Sequence, residues 1–285
     1  MIIQHPDFKD DPTAPIGVFD SGVGGLSVYL HLKDALPNEH FIYYADTANV
    51  PYGGKSGDEI LLLTLQAVAR LCKRGCKLIV IACNSASAHA LHAVRKRCAV
   101  PIVGLVPAVK PACIITKTHQ IAVLATRATL DGHLLNDVID DVATPQGVVV
   151  HKHFEPALVP WVESGMPTDG QVATWLTAQT KQWADDGIDV VVLGCTHYPF
   201  FRKFLQDYID KQQLNITLMD SGRAIAQRVS YLLTAYQLNN TSTDNSGQSF
   251  KLYATRLNDE TLQIIKNLTG HDAITVINWY NNKPK

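Results

Sequence analysis

Four runs of branched aliphatic and aromatic residues, each ending on a small or polar residue, most strongly limit how this chain can fold. They are "PIGVFD" (15–20), "HFIYYAD" (40–46), "CKLIVIAC" (76–83) and "VPIVGLV" (100–106). Such runs are too short and too evenly apolar for amphipathic helices. They read as strands buried on both faces, the habit of parallel sheets. Between them lie stretches with helical spacing: "SGVGGLSVYLHLKDAL", stopped by Pro37, "GDEILLLTLQAVARLCKRG", closing at Gly75, and "SASAHALHAVRKRC". Glycine just past a helix and proline beyond it are ordinary terminators. Strand and helix therefore alternate, as in βα units.

Near Pro107 the alternation begins again. "QIAVLAT" (120–126) stands where "PIGVFDS" stood, and "GVVVHKHF" (147–154) is the next strand. A helical stretch at 171–186 then leads into "IDVVVLGC" (188–195). The order of elements thus repeats over roughly 110 residues, although identity does not. After "NITLMDSG" (215–222) and the helix "RAIAQRVSYLLTAYQL", a polar linker, "NNTSTDNSGQS" (239–249), precedes one more strand–helix–strand unit. The expected fold is α/β, with two similar, pseudo-symmetric domains of mainly parallel sheet and an active site in the cleft between them. The first would comprise 1–106 plus 222–285 and carry Asp20 and Cys83. The second, 107–221, would carry Cys195 and His197.

Composition narrows the function. With 285 residues, 46% hydrophobic and 18% charged, the chain can bury a sizeable core. A net charge of −1 without a basic block gives no footprint for nucleic acid or an anionic membrane. No apolar run approaches the roughly 20 residues that span a bilayer. The start, "MIIQHPDFKDDPTAPIG", shows no secretory h-region. A cytoplasmic protein with neither nucleic-acid nor membrane partner is expected. The six cysteines, at 72, 76, 83, 98, 113 and 195, are then expected to be reduced. No CxxC pair offers the spacing of a structural zinc site. Cys72, Cys76, Cys98 and Cys113 read as small apolar residues.

In open α/β sheets, ligands bind beyond the carboxyl ends of the strands. Asp20, Ser21, Asp46, Cys83, Asn84, Ser85, Cys195, Thr196 and His197 all fall at such ends. Both cysteines are expected to precede a helix directly, with Asn84, Ser85 or Thr196 as N-cap and Pro199 in a first turn. The free N–H groups and dipole of a helix start would lower a cysteine pKa below its usual value of about 8.5. Cys195 and His197 alone supply only two metal ligands, so no metal site is expected. Gly22, Gly24 and Gly25 in "DSGVGGLS" are placed as in a dinucleotide loop, and Asp46 ends the next strand where a ribose-binding acid would stand. Ser27, however, replaces the third glycine of that fingerprint. The loop reads better as presenting Asp20 and Ser21 to a small ligand, with the glycines letting backbone approach it.

The segments "GVFDSGVGGLSV", "YYADTANVPYGGKS", "IACNSASAHAL" and "VLGCTHYPF" resemble the signature segments of bacterial glutamate racemases. The resemblance runs from Ile16 to about Arg223 and includes "FEPALVPWVESG" (154–165). Ser85 departs from it, since the family usually has threonine there, but the hydroxyl is kept. Residues through Ala14 lie outside the family core. The resemblance implies interconversion of L- and D-glutamate, supplying D-glutamate for peptidoglycan. Neither metal nor pyridoxal phosphate is implied, and a homodimer is expected. Cys83 would act on D-glutamate and Cys195 on L-glutamate, assisted by Asp20 and His197 respectively. Ser21, Tyr52, Gly53, Asn84, Ser85, Thr196 and His197 match the family's substrate contacts, with Asp20 beside them, and Glu163 matches a further carboxylate of the site.

That chemistry accounts for a doubled strand–cysteine motif. Inverting an α-carbon needs a base on one face and an acid on the other, and two facing domains can offer one thiol to each. Other readings fit less of the sequence. A related aspartate racemase would share both cysteines but usually lacks "DSGVGG". A cysteine hydrolase needs only one cysteine and an oxyanion hole, and a small-ligand binding protein has no use for paired thiols.

Overall fold

Each apolar run becomes a strand, and each amphipathic stretch becomes the crossover that covers it. In the computed structural model, residues 11–241, 248–269 and 276–279 are described. The chain begins with β1 (Ile16–Asp20), α1 (Leu26–Ala35), β2 (Phe41–Ala45), α2 (Gly57–Lys73), β3 (Leu78–Ile81), α3 (Asn84–Arg95) and β4 (Ile102–Gly104). It continues through α4 (Val109–Ile115), β5 (Gln120–Leu124), α5 (Arg127–Leu130), α6 (His133–Val138), β6 (Val149–His153) and α7 (Leu158–Glu163). Next come α8 (Gln171–Asp185), β7 (Val190–Leu193), α9 (Arg202–Gln212), β8 (Thr217–Met219) and α10 (Gly222–Ala235). The final unit is β9 (Phe250–Ala254), α11 (Asp259–Thr269) and β10 (Val276–Asn278). Part of the expected polar linker (242–247) lies outside the described residues, as do residues 1–10, 270–275 and 280–285.

The strands form two parallel sheets, ordered β10-β9-β2-β1-β3-β4 and β6-β5-β7-β8. The α/β architecture and the internal repeat are thus real. In each sheet the first strand pairs with its successor on one side and with the third strand on the other. β1 lies between β2 and β3, and β5 lies between β6 and β7. The chain reverses direction between β1 and β3, and again between β5 and β7. Those two switch points are where an open sheet leaves a crevice for a ligand.

Alternation along the strands explains the layers. Val18, Tyr43 and Val80 pack on the side of α1 and α10, with Leu26, Tyr29, Ile225 and Val229. Phe19, Ile79 and Ile81 point the other way, onto Ile60, Val68 and Leu71 of α2 and Ala90, Leu91 and Val94 of α3. In the second sheet Ile121, Val123, Val190 and Val192 face Val109, Ala112 and Leu135, whereas Leu124, Val191 and Leu193 face Leu176, Trp183 and Leu205. Helix α2 starts at a capping box, with Ser56 and Glu59 exchanging side-chain-to-backbone bonds, as its Ser-x-x-Glu sequence dictates. The two chain crossings between the sheets run side by side, because Ser221 Oγ donates to the Val106 carbonyl at 2.7 Å.

Candidate active site

Cys83 follows β3 and is itself the N-cap of α3, its sulfur accepting the Ala86 N–H at 3.4 Å. Neither Asn84 nor Ser85 is the cap, as expected from their type, because the helix starts one residue earlier. Ser85 Oγ is instead 2.9 Å from Thr126 Oγ1 at the end of β5, and Thr126 Oγ1 is 3.0 Å from Thr129 Oγ1. Thr196 is no cap either, since its hydroxyl donates across the cleft to Asp20 Oδ2 at 3.3 Å. Nor does Cys195 precede a helix directly. Thr196 and His197 intervene, then a 3₁₀ turn at Tyr198–Phe201 containing Pro199, and α9 begins only at Arg202.

The expected lowering of the Cys83 pKa does not occur. Burial and the adjacent Asp20 charge push the thiol up to about 12, against the Ser21 and Ala86 bonds that pull it down. Burial, reinforced by a carboxylate at close range, outweighs the free N–H groups of a helix start. Asp20 is itself fully buried, and burial raises its pKa. The His197 charge, the Gly22 N–H at 2.8 Å and the Thr196 hydroxyl favour its ionised form.

Around Cys195 the arrangement differs. His197 Nδ1 is 3.8 Å from Cys195 Sγ, and its Nε2 is 3.0 Å from Glu163 Oε1 at the end of α7. Burial disfavours the imidazolium, but the bonds to Cys195 and Glu163 and their negative charge hold its pKa up to about 10. A charged imidazole favours the thiolate form of a neighbouring cysteine.

One cleft between the two sheets brings most of the expected residues together. Ser21, Tyr52, Gly53, Cys83, Asn84, Ser85, Cys195, Thr196 and His197 all line it. Asp20 and Glu163 do not, and each reaches the cavity through a neighbour: Asp20 through Thr196, Glu163 through His197. Thr126, Thr129 and Val159 also line the cavity, and sequence reasoning missed them. Thr126 had a readable signal, since it occupies the repeat position of Ser21, just past the end of its strand. Asn84 Oδ1 is buried there without a hydrogen-bond partner among the described residues. A separate surface groove, lined by Arg95, Arg228 and Tyr236 among others, has neither cysteine nor histidine in its lining.

The glycine loop also departs from expectation. A Cβ on Gly24 would come within 2.4 Å of His197 Nδ1, and one on Gly25 within 2.8 Å of Tyr43 Oη. These glycines make room for His197 from the other sheet and for the core, rather than for backbone contact with a ligand. Ser27, where the nucleotide fingerprint has glycine, donates to the Thr196 carbonyl at 2.7 Å and so ties the two halves. Asp46 is consumed by structure, accepting from Tyr52 Oη at 2.7 Å, Thr255 Oγ1 at 2.9 Å and Asn49. That leaves nothing for a ribose. Among the described residues, no group of three or more His, Cys, Asp or Glu side chains is placed to hold a metal. Among the same residues, no helix is long and apolar enough to cross a membrane.

Residues 16–229 match the sequence model of Asp/Glu/Hydantoin racemase. The chain belongs to that family. It is 47% identical over 220 residues to the glutamate racemase of Deinococcus radiodurans, covering 77% of this chain and 75% of that one. It is 42% identical over 233 residues to the glutamate racemase of Herpetosiphon aurantiacus, covering 80% and 88%. The structure superposes on glutamate racemase from Francisella tularensis, solved with D-glutamate, at a TM-score of 0.80 and 27% identity, covering 94% and 98%.

Proposed function

We propose that this family member is an isomerase that interconverts L- and D-glutamate by a two-base mechanism without metal or pyridoxal phosphate. One observation carries the reading: Cys83 and Cys195, at equivalent strand ends of two repeated sheets, line a single cavity. In the L-to-D direction, the Cys195 thiolate removes the α-proton and the Cys83 thiol delivers its own to the opposite face. The protein then holds a Cys195 thiol and a Cys83 thiolate, and D-glutamate runs the same steps backwards. Cys83, buried beside Asp20, suits the protonated starting form, and His197, held charged by Glu163, suits the anionic form of Cys195. Asp20, His197 and Glu163 tune these transfers.

The unpartnered Asn84 Oδ1 is an acceptor for the substrate ammonium. The hydroxyls of Ser21, Ser85, Thr126, Thr129 and Thr196, with the Tyr52–Gly53 turn, are donors and walls for its carboxylates and for the negative charge that develops at Cα. As parts of the same proposal, the two sheets centre domains of 1–106 plus 222–285 and of 107–221. The protein works as a cytoplasmic homodimer, and its product supplies peptidoglycan synthesis.

The test is optical. After chelator treatment and with no added cofactor, the protein should carry L-glutamate to zero rotation. In deuterated water, label should enter at Cα, and L-aspartate should turn over far more slowly. Activity that returns only with metal or pyridoxal phosphate would overturn the mechanism, and faster turnover of aspartate would overturn the substrate.

A further inference from the structure

Four cysteines stand outside the cleft chemistry, and two of them are not merely apolar filler. Cys72 Sγ and Cys98 Sγ lie 3.3 Å apart. Cys72 is in the last turn of α2 and fully buried, whereas Cys98, just beyond α3, is partly exposed. α2 and α3 pack along one another, so the two sulfurs meet where the C-terminal ends of both helices come together. Cys76, the next thiol along the chain, is fully buried, with its sulfur packed against Gly17. Cys113 belongs to a different core cluster.

We propose that Cys72 and Cys98 form a peroxide-oxidisable dithiol that closes to a disulfide tying α2 to the end of α3. The roles follow from exposure: Cys98 meets solvent, and Cys72 waits behind it. The bond from the Cys72 thiol also stabilises Cys98 as thiolate and lowers its pKa. A partly exposed thiolate beside a second thiol is the arrangement in which oxidation stops at a disulfide. The Cys98 thiolate attacks one oxygen of hydrogen peroxide, the O–O bond breaks, and the departing hydroxide takes a proton and leaves as water. Cys98 is then a sulfenic acid. Cys72 sulfur attacks Cys98 sulfur, the S–O bond breaks, and the oxygen leaves with the Cys72 proton as a second water. Two thiols are oxidised by two electrons and one peroxide is reduced. Closure needs the sulfurs to approach by roughly 1 Å, within reach of a helix end and a following turn.

Peptide mapping tests this directly. The fully reduced protein is treated with graded hydrogen peroxide, quenched with an alkylating agent and digested without reductant. A linked Cys72–Cys98 peptide should accumulate, the two residues should lose alkylation in step, and dithiothreitol should restore both. C98S should show no link at Cys72, while C76S should keep the Cys72–Cys98 link. Cys98 accumulating as sulfinic or sulfonic acid with Cys72 still alkylated would overturn the proposal. So would a link from Cys98 to Cys76, or Cys98 remaining fully alkylated while Cys83 or Cys195 is already oxidised. The unmodified chain alone decides between these outcomes, so the result does not hang on whether a variant folds.

Discussion

Cys83 and Cys195 occupy the same station in two repeats of one topology, yet their surroundings differ in sign. Cys83 sits against a buried carboxylate and its thiol is pushed up to about 12. Cys195 sits against an imidazole whose pKa its own sulfur and Glu163 together hold up to about 10. A repeat fixes where a side chain is placed, whereas its neighbours fix which protonation state it prefers. In a two-base reaction this asymmetry has a limit. L- and D-glutamate have equal free energies, so kcat/KM must be equal in the two directions at every pH. The difference between the halves can therefore show only in partial reactions, and the tests below are chosen accordingly.

The largest effect should come from removing either thiol. Cys83→Ala and Cys195→Ala should each lower racemisation by about 10²–10⁴-fold, the usual worth of a positioned acid or base. With an analogue carrying a leaving group at Cβ, deprotonation alone gives elimination. Cys83→Ala should then process the L-analogue and Cys195→Ala the D-analogue. The same enantiomer preference in both variants would remove the comparison altogether. Next in size is the hydroxyl that joins the halves. If Ser85 contacts a charged substrate group, Ser85→Ala should weaken binding by about 10- to 150-fold, while Ser85→Thr stays within about threefold. An unchanged alanine variant in a glutamate titration would reduce Ser85 to its bond with Thr126.

Two smaller effects sharpen the electrostatic contrast. Glu163 is partly exposed and therefore screened, so Glu163→Gln should lower the alkaline pKa of L-analogue elimination by about one unit. The D-analogue profile should stay put, and equal shifts in both would place Glu163 outside the Cys195 half. The same group has a stability consequence. His197 binds its proton more tightly folded than unfolded. That contribution is present below the unfolded pKa of about 6.5 and is lost as pH rises through about 10. The smallest effect concerns Asp20. In a Cys195→Ala background, Asp20→Asn should lower the Cys83 pKa by about one unit. Iodoacetamide should then alkylate Cys83 roughly three- to tenfold faster at pH 8, because a less basic thiolate is also less nucleophilic. Slower alkylation would show that Asp20 is not what holds the thiol protonated.

Much of this was legible in the chain. Branched aliphatic runs between helical stretches dictate parallel, doubly buried strands, and the repeated order of those runs puts Asp20, Cys83, Thr126 and Cys195 at strand ends. Side-chain type and period decide such features locally. The rest depends on what lies opposite, which no local pattern encodes. Helix-start logic would lower the Cys83 pKa, and burial of the thiol beside Asp20 reverses it. The glycines read as room for a ligand, and they accommodate His197 from the other sheet. Asp46 reads as a free acid and is consumed by Tyr52 and Thr255. Cys72 and Cys98, 26 residues apart, read as filler and meet at 3.3 Å. Sequence by itself determined the elements, their order and the residues at their ends. Tertiary structure decided each of those residues' neighbours, and with them charge, because a pKa depends on through-space distance and burial that chain spacing does not fix.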